Sequence, residues 1–278
     1  MRIGLITPDP GHPLLAAATE LLTPLHQVDV LDPGAVDPGA MDAVSGPPAD
    51  VYLLKSRTPR ALALARELEE RGAPVVNSAA ATALCQDRME MAELAVRAGL
   101  PFAATRAWDT VSAWASEASL ASPVVVKSLR SRRGDLVARV DSPAQSAELA
   151  RAWPREPVVV QEFAPNSGWD HKLWAVADRV FAARRRSELS PGGRGPNLPL
   201  ERLPTAWADV TLRVGEVFGL DVYGVDIIDT GDGVPLIVDI NAFPGIRGQA
   251  GAPEALAALA LRRAGSAPVP APGDGTAD

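Results

Sequence analysis

Tyr223–Gly248 reads YGVDIIDTGDGVPLIVDINAFPGIRG. Asp232-Gly233 has the composition of a two-residue type I′ turn, and the apolar runs on either side have that of strands. A turn at that point pairs Asp226 with Asp239 and Gly224 with Asn241. Side chains alternate along a strand, so Asp226, Asp239 and Asn241 share one face, while Val225, Ile227, Val238 and Ile240 share the other. Two carboxylates set opposite each other repel unless a cation lies between them. Two Asp and one Asn offer the hard oxygens that suit magnesium, which keeps waters and takes further ligands from phosphates. A solvated polar face on an ordinary hairpin is the competing reading. The long apolar alternation and the sharp exit Asn241-Ala242-Phe243-Pro244-Gly245 favour the metal. Pro235 lacks a ladder donor and marks a point where the register can slip.

The rest of the chain supplies bounds. Its 278 residues, 47% of them hydrophobic, suffice for two or three compact units. A net charge of -7 argues against broad nucleic-acid binding, which depends on Lys and Arg. MRIGLITPDP opens as a short strand and loop rather than an export signal, and no apolar run approaches bilayer length. Cys85 is the single cysteine, so no intramolecular disulfide forms. A cytoplasmic protein without membrane or nucleic-acid partners is the expectation.

Lysine is scarce: of 27 basic residues only Lys55, Lys127 and Lys172 are lysines. Where Arg fills the generic roles, a Lys points to a need for a compact charge. Lys127 ends the run Pro123-Val124-Val125-Val126 and precedes a basic, mobile-looking loop, Ser128 to Gly134, a setting suited to nucleotide phosphates. Lys172 lies in a strand-like alternation that puts it on one face with Trp174 and Val176.

Residues 1 to 80 alternate strands (3–6, 28–31, 51–54, 74–77) with helices (14–22, 59–71), which implies a small parallel sheet. Asp32 to Asp50, rich in Pro, Gly and Asp, reads as a loop. A helical pattern spans 79–98, with Gly99 as its stop, followed by an extended run over 100–105. Further strands are expected at 136–140, 158–163, around Lys172 and at 181–186, with helices at 143–153, 206–218 and 253–264. The Pro, Gly and Ala tail, 265–278, reads as disordered. His12, His26 and His171 are scattered; of these only His171 falls near the candidate site. Cys85 and the tryptophans read as packing residues.

A Lys after a Val-rich strand, then Val160-Gln161-Glu162-Phe163, a basic strand, Gly224-Val225-Asp226 and Asp239-Ile240-Asn241 with Phe243-Pro244-Gly245 form an ordered set. Over residues 80 to 262 that set resembles the ATP-grasp superfamily, and is most similar to its RimK-type carboxylate–amine ligases. Asp-Ile-Asn with Phe-Pro-Gly is similar also to the inositol trisphosphate kinases of the same fold. The resemblance implies an α/β (α+β) ATP-grasp fold: a parallel pre-ATP-grasp domain (1–80), a central subdomain (81–157) and a C-terminal subdomain (158–264).

It implies roles for residues as well. Lys127 and Arg88, the latter at a position frequently Lys, would contact nucleotide phosphates. Gln161, Glu162, Phe163 and Ala164 would be the adenine hinge. Asp170 would lie near the ribose, and Lys172, Arg185, Arg186 and Ser187 beside the triphosphate. Asp226, Asp239 and Asn241 would hold one or two Mg2+ ions, with Mn2+ as a substitute; Asp239 stands where such ligases usually carry Glu. Lys127 and Arg186 would offset charge during transfer, and Arg184, Arg247 and Asn197 would grip a carboxylate, Arg247 being counted with the catalytic set. The implied reaction joins a small-molecule or peptide acid to an amine through an acyl phosphate, with ATP as donor. Two alternatives stand beside it: a small-molecule kinase, and a nucleotide-binding protein without turnover. Six Lys or Arg against ten Asp or Glu in residues 1–80 disfavour a highly phosphorylated acceptor, although Lys55, Arg57 and Arg60 form a local basic trio. The fold also leaves a homodimer open.

Overall fold

The computed structural model describes residues 1–35, 48–132, 134–190, 193, 195–200, 202–231 and 233–266. The chain divides into two compact units, one of Met1–Val76 with the chain from Pro253, the other Asn77–Ala252.

The first unit is built on four parallel strands: β1 (Arg2–Ile6), β2 (Gln27–Leu31), β3 (Val51–Leu54) and β4 (Val75–Val76), in the order β2-β1-β3-β4. Helices α1 (Pro13–Leu22) and α2 (Pro59–Glu70) connect them, as the alternation of strand and helix patterns requires. Ile3, Ile6, Val51, Leu53 and Leu54 are almost wholly buried, which explains their unbroken apolar runs. Thr58 caps α2 by accepting from the Ala61 amide at 3.2 Å, with Pro59 in the first turn. Gly72, at φ 82°, ends it as the sequence predicts. Most of the Asp32 to Asp50 loop, residues 36–47, lies outside the described residues. Within the 265–278 stretch expected to be disordered, Gly265 still closes the last helix, and 267–278 lie outside the description.

The second unit holds two antiparallel sheets. One has β5 (Thr105–Trp108), β6 (Val124–Ser128), β7 (Val137–Val140) and β8 (Val158–Glu162) in the order β5-β8-β6-β7. Its apolar face, with Val126, Val140 and Val158, packs on α5 (Val111–Glu117) and α6 (Pro143–Ala152). The other has β9 (Trp169–Val176), β10 (Arg179–Arg186), β11 (Leu198–Pro199), β12 (Val222–Asp229) and β13 (Pro235–Ala242) in the order β11-β10-β9-β12-β13. Its core face packs on α7 (Thr205–Phe218), whose buried Trp207, Thr211, Val214, Gly215 and Phe218 follow helical spacing.

Two local expectations change. The 79–98 helix is two helices, α3 (Ala79–Leu84) and α4 (Arg88–Arg97), because Asp87 accepts from the amides of Met89 and Glu90 and starts a new cap. The extended run at 100–105 continues into β5, and the segment after it forms α5, capped by Thr110 and anchored by buried Trp114. The last helix, α8, spans Ala252–Gly265.

Candidate active site

The hairpin of β12 and β13 pairs Asp226 with Asp239 and Gly224 with Asn241, as the sequence predicts. The route to that register differs. Near the turn Asp229 pairs with Pro235 and Ile227 with Ile237, one residue away from the expected pairing. Val238 is the extra residue of a β-bulge, and it restores the register at Asp239. The register is therefore already displaced at Pro235 and returns at Val238. Consequently Ile237, not Val238, joins Val225, Ile227 and Ile240 in the core. The Asp232-Gly233 turn includes a residue, Asp232, outside the described residues.

Registers across the larger sheet align its polar face in transverse rows. One row is Ala183, Lys172, Asp226 and Asp239; the next is Phe181, Trp174, Gly224 and Asn241; on the other side lie Arg185, Asp170 and Ile228. Lys172 donates to the Asp226 carboxylate and lies 3.9 Å from Asp170, which Arg185 approaches to 4.0 Å. Burial pushes the Asp226 carboxyl up, and the adjacent Lys172 ammonium opposes that shift. The Asn241 amide nitrogen is 3.5 Å from Asp239.

The smaller sheet contributes a second polar face. Lys127 and Gln161 lie on the face away from α5 and α6, with Val125 and Arg139 beside them in register. The Lys127 ammonium donates to the Val238 carbonyl at 2.8 Å. Burial draws Lys127 down to about 8; Asp239 opposes this, Arg88 adds to it, and Asp226 again opposes. Arg88, at the start of α4, donates to the Ser128 carbonyl and to Asp135, both at 2.7 Å, and reaches Asp239 at 3.8 Å. In the basic loop after Lys127, expected to be mobile, residues 130–132 are tied down: Ser131 donates its amide to the Gln86 carbonyl, Arg130 pairs with Asp87, and Arg132 pairs with Glu156.

Residues expected at the hinge sit at the end of β8. Gln161 is buried and donates to Thr105 at 3.0 Å, and Arg139 stacks over the Phe163 ring at 3.9 Å. Glu162 is exposed, and the Ala164 carbonyl accepts from Asn166. A cavity of about 410 Å³ lies beside them, bordered by Arg139, Phe163, Asn166, Gly168, Arg186 and Ser187 among others.

Other expected residues are placed differently. Alternation along β10 puts Arg185, not Arg186, on the face of Lys172 and Asp226; Arg186 projects from the opposite face, over Trp169 at 5.7 Å. Arg184 is exposed beside the same ring, and Ser187 is buried in the turn after β10. Arg247 and Asn197 are exposed loop residues. His171 points to the core face, where its ring meets Trp207 edge-on at 4.8 Å, so it leaves the site. Asp135 and the Val238 carbonyl were not foreseen. Asp135 had a signal, being the lone acid in the stretch 128–135; the carbonyl depends on a bulge with no marker in composition.

Among the described residues no three His, Cys, Asp or Glu gather as metal donors. Two carboxylates and one amide fit a hard cation whose shell water and phosphate complete, and Asp226 already carries a cationic partner. The Nε atoms of Arg88 and Arg185 are buried without partners among the described residues, leaving donors for an anion. Among the described residues no helix is long and apolar enough to cross a membrane.

The profile of the RimK-like ATP-grasp domain matches residues 85–254. "Probable alpha-L-glutamate ligase 2" of Hahella chejuensis is 28% identical over 67% of this chain and 64% of its own length. "Probable alpha-L-glutamate ligase" of Thioalkalivibrio sulfidiphilus is 28% identical over 80% of this chain and 81% of its own. So the chain spans just under two thirds of one of these relatives and about four fifths of the other. A RimK domain ATP-grasp protein from Sphaerobacter thermophilus superposes with a TM-score of 0.76 at 24% identity, over 93% of this chain and 99% of that one. The D-alanine–D-alanine ligase of Bacillus anthracis, crystallised with ATP, gives 0.69 at 14% identity over 95% and 99%. The bulged hairpin, the two facing polar sheets and the profile match agree on one assignment: the chain belongs to the RimK-like ATP-grasp family.

Proposed function

We propose that the protein is an ATP-dependent carboxylate–amine ligase acting on small-molecule or peptide substrates, with Mg2+ as its ion and Mn2+ as a substitute. The observation that carries this reading is the convergence of Lys127, Arg88, Lys172, Asp226 and Asp239 where the two sheets face each other. The relatives named as ligases favour it over the kinase and non-catalytic alternatives.

In this reading Asp226, Asp239 and Asn241 would hold the metal, whose chemistry there would be to offset charge on the phosphate oxygens. Lys127, while protonated, and Arg88 supply positive charge at a buried site, where it acts most strongly on a transferring phosphoryl group. Arg185 takes the part first assigned to Arg186. Gln161 to Ala164 line the adenine side, and Asp170 the ribose side. Arg247 and Asn197 remain candidates for the acid. The carboxylate attacks the γ-phosphate, ADP leaves, and the amine displaces phosphate from the acyl phosphate.

The reading keeps the divisions 1–80, 81–157 and 158–264, places the protein in the cytoplasm and leaves a homodimer open; sedimentation velocity showing only monomer would remove the dimer. The decisive experiment measures ADP release with ATP and Mg2+ across pools of amino acids, peptides and inositol phosphates, followed by product mass. An amide product supports the ligase, and a phosphorylated product overturns it. Asp239→Ala should abolish Mg2+-dependent turnover in a chain that still folds by circular dichroism; normal turnover would remove the metal assignment.

A further inference from the structure

Each carboxylate of the facing pair has its own cation, and the two cations are held very differently. Arg88, beside Asp239 at 3.8 Å, is clamped by the Ser128 carbonyl and by Asp135, both at 2.7 Å. Among the described residues Lys172 has no such clamp: its partners there are Asp226 and, at 3.9 Å, Asp170. A guanidinium held at several points is fixed, whereas an ammonium on a four-carbon stem turns readily. Asp170 lies on the same face two residues along β9, within reach of the same ammonium.

From this asymmetry we infer that Lys172 is a displaceable internal counter-ion: it occupies Asp226 in the metal-free protein and swings toward Asp170 when a divalent cation takes its place. The inference rests on Asp226 as a metal ligand. A divalent ion bound to Asp226 repels an ammonium in contact with the same carboxylate, and that repulsion drives the less firmly held cation away. Arg88 is the anchored one and stays, while Lys172 moves. Asp170 then receives a charge it is already near, and the Asp226–Asp239 pair is never left without a cation between or beside its carboxylates. Lys172 acts here as a positioning residue and a competitor for metal, not as a group that meets substrate.

The test uses Mn2+ alone, without nucleotide, followed by the loss of its free-ion electron paramagnetic resonance signal. Lys172→Met should bind Mn2+ at least about tenfold more tightly than wild type, whereas Arg185→Met, which removes a charge near Asp170 but not from Asp226, should change affinity by less than about threefold. In chelator the thermal midpoint of Lys172→Met should fall below wild type, and Mn2+ should raise it by more than it raises wild type. Equal affinity in Lys172→Met and wild type, or an equal gain from Arg185→Met, overturns the proposal. Asp226→Asn separates the two layers. Loss of binding in that variant with no effect of Lys172→Met leaves the metal reading standing and the counter-ion proposal fallen. Unchanged binding in Asp226→Asn removes both.

Discussion

The ammonium of Lys127 bonds to the carbonyl of Val238, a residue 111 positions later, at 2.8 Å. That carbonyl belongs to the bulged residue of β13, the one residue between Ile237 and Asp239 without a ladder partner on β12. The bulge thus does two things at once. It brings Asp239 into register with Asp226, and it presents an acceptor that holds Lys127 over the site.

Lys127 should titrate within the working range. Burial brings it to about 8, so it is charged below that value and neutral above it. Affinity for ADP without added metal should therefore weaken as pH rises from about 7 to about 9, and Lys127→Arg, whose guanidinium stays charged, should flatten the profile. Isothermal titration across that range checks it, and a flat wild-type profile would contradict the assignment. Lys127→Ala should lower ADP release by about 10²–10³-fold.

Arg88 and Asp135 should be strongly coupled. Removing one partner of a nearly buried ion pair leaves a charge without compensation, so Arg88→Met should cost about 3 kcal/mol in urea unfolding. Arg88→Met with Asp135→Leu should recover part of that loss. A double variant whose cost equals the sum of the single costs would show that the contact at 2.7 Å carries no energy.

Gly215→Ala should destabilise the fold without touching the site. A methyl there collides with the ring and hydroxyl of Tyr223, which is buried and donates to the Thr211 carbonyl at 2.8 Å. Overpacking of this kind costs about 1–3 kcal/mol. Truncating the ring in Gly215→Ala/Tyr223→Leu should relieve the clash, as read from thermal midpoints.

His171 should destabilise the protein in mild acid. Burial against Trp207 pulls its pKa below the ordinary 6.5, so the folded chain binds its proton less readily than the unfolded chain. Its contribution is fully present above 6.5 and is lost as pH falls through that value toward the folded pKa. His171→Leu should remove this part of the acid sensitivity, and urea midpoints between about pH 7 and about pH 5 would show it.

Periodicity and turn chemistry made much of this legible from residues alone. Val225, Ile227 and Ile240 announce a core face, and Asp226, Asp239 and Asn241 announce its polar opposite, because alternation in a strand is a local property. The strand–helix alternation of residues 1–80 likewise requires the parallel sheet that forms. Less legible was the break at Asp87: propensity ran on through 79–98, and only the cap geometry of one side chain divides it. Arg185 and Arg186 were read together beside the triphosphate, because a run of three arginines looks alike until register assigns each to a face.

The sequence by itself determined which residue types the site could draw on, the ordered motifs that mark the family, and the placing of Asp226, Asp239 and Asn241 on two adjoining strands, since each follows from chain neighbours and a two-residue repeat. Only the tertiary structure decided that Val238 bulges toward Lys127, that Arg88 is clamped while Lys172 is loosely held, and that His171 faces the core. These are contacts between segments far apart in the chain. Their geometry depends on how two sheets pack face to face, and no local pattern of residues encodes that packing.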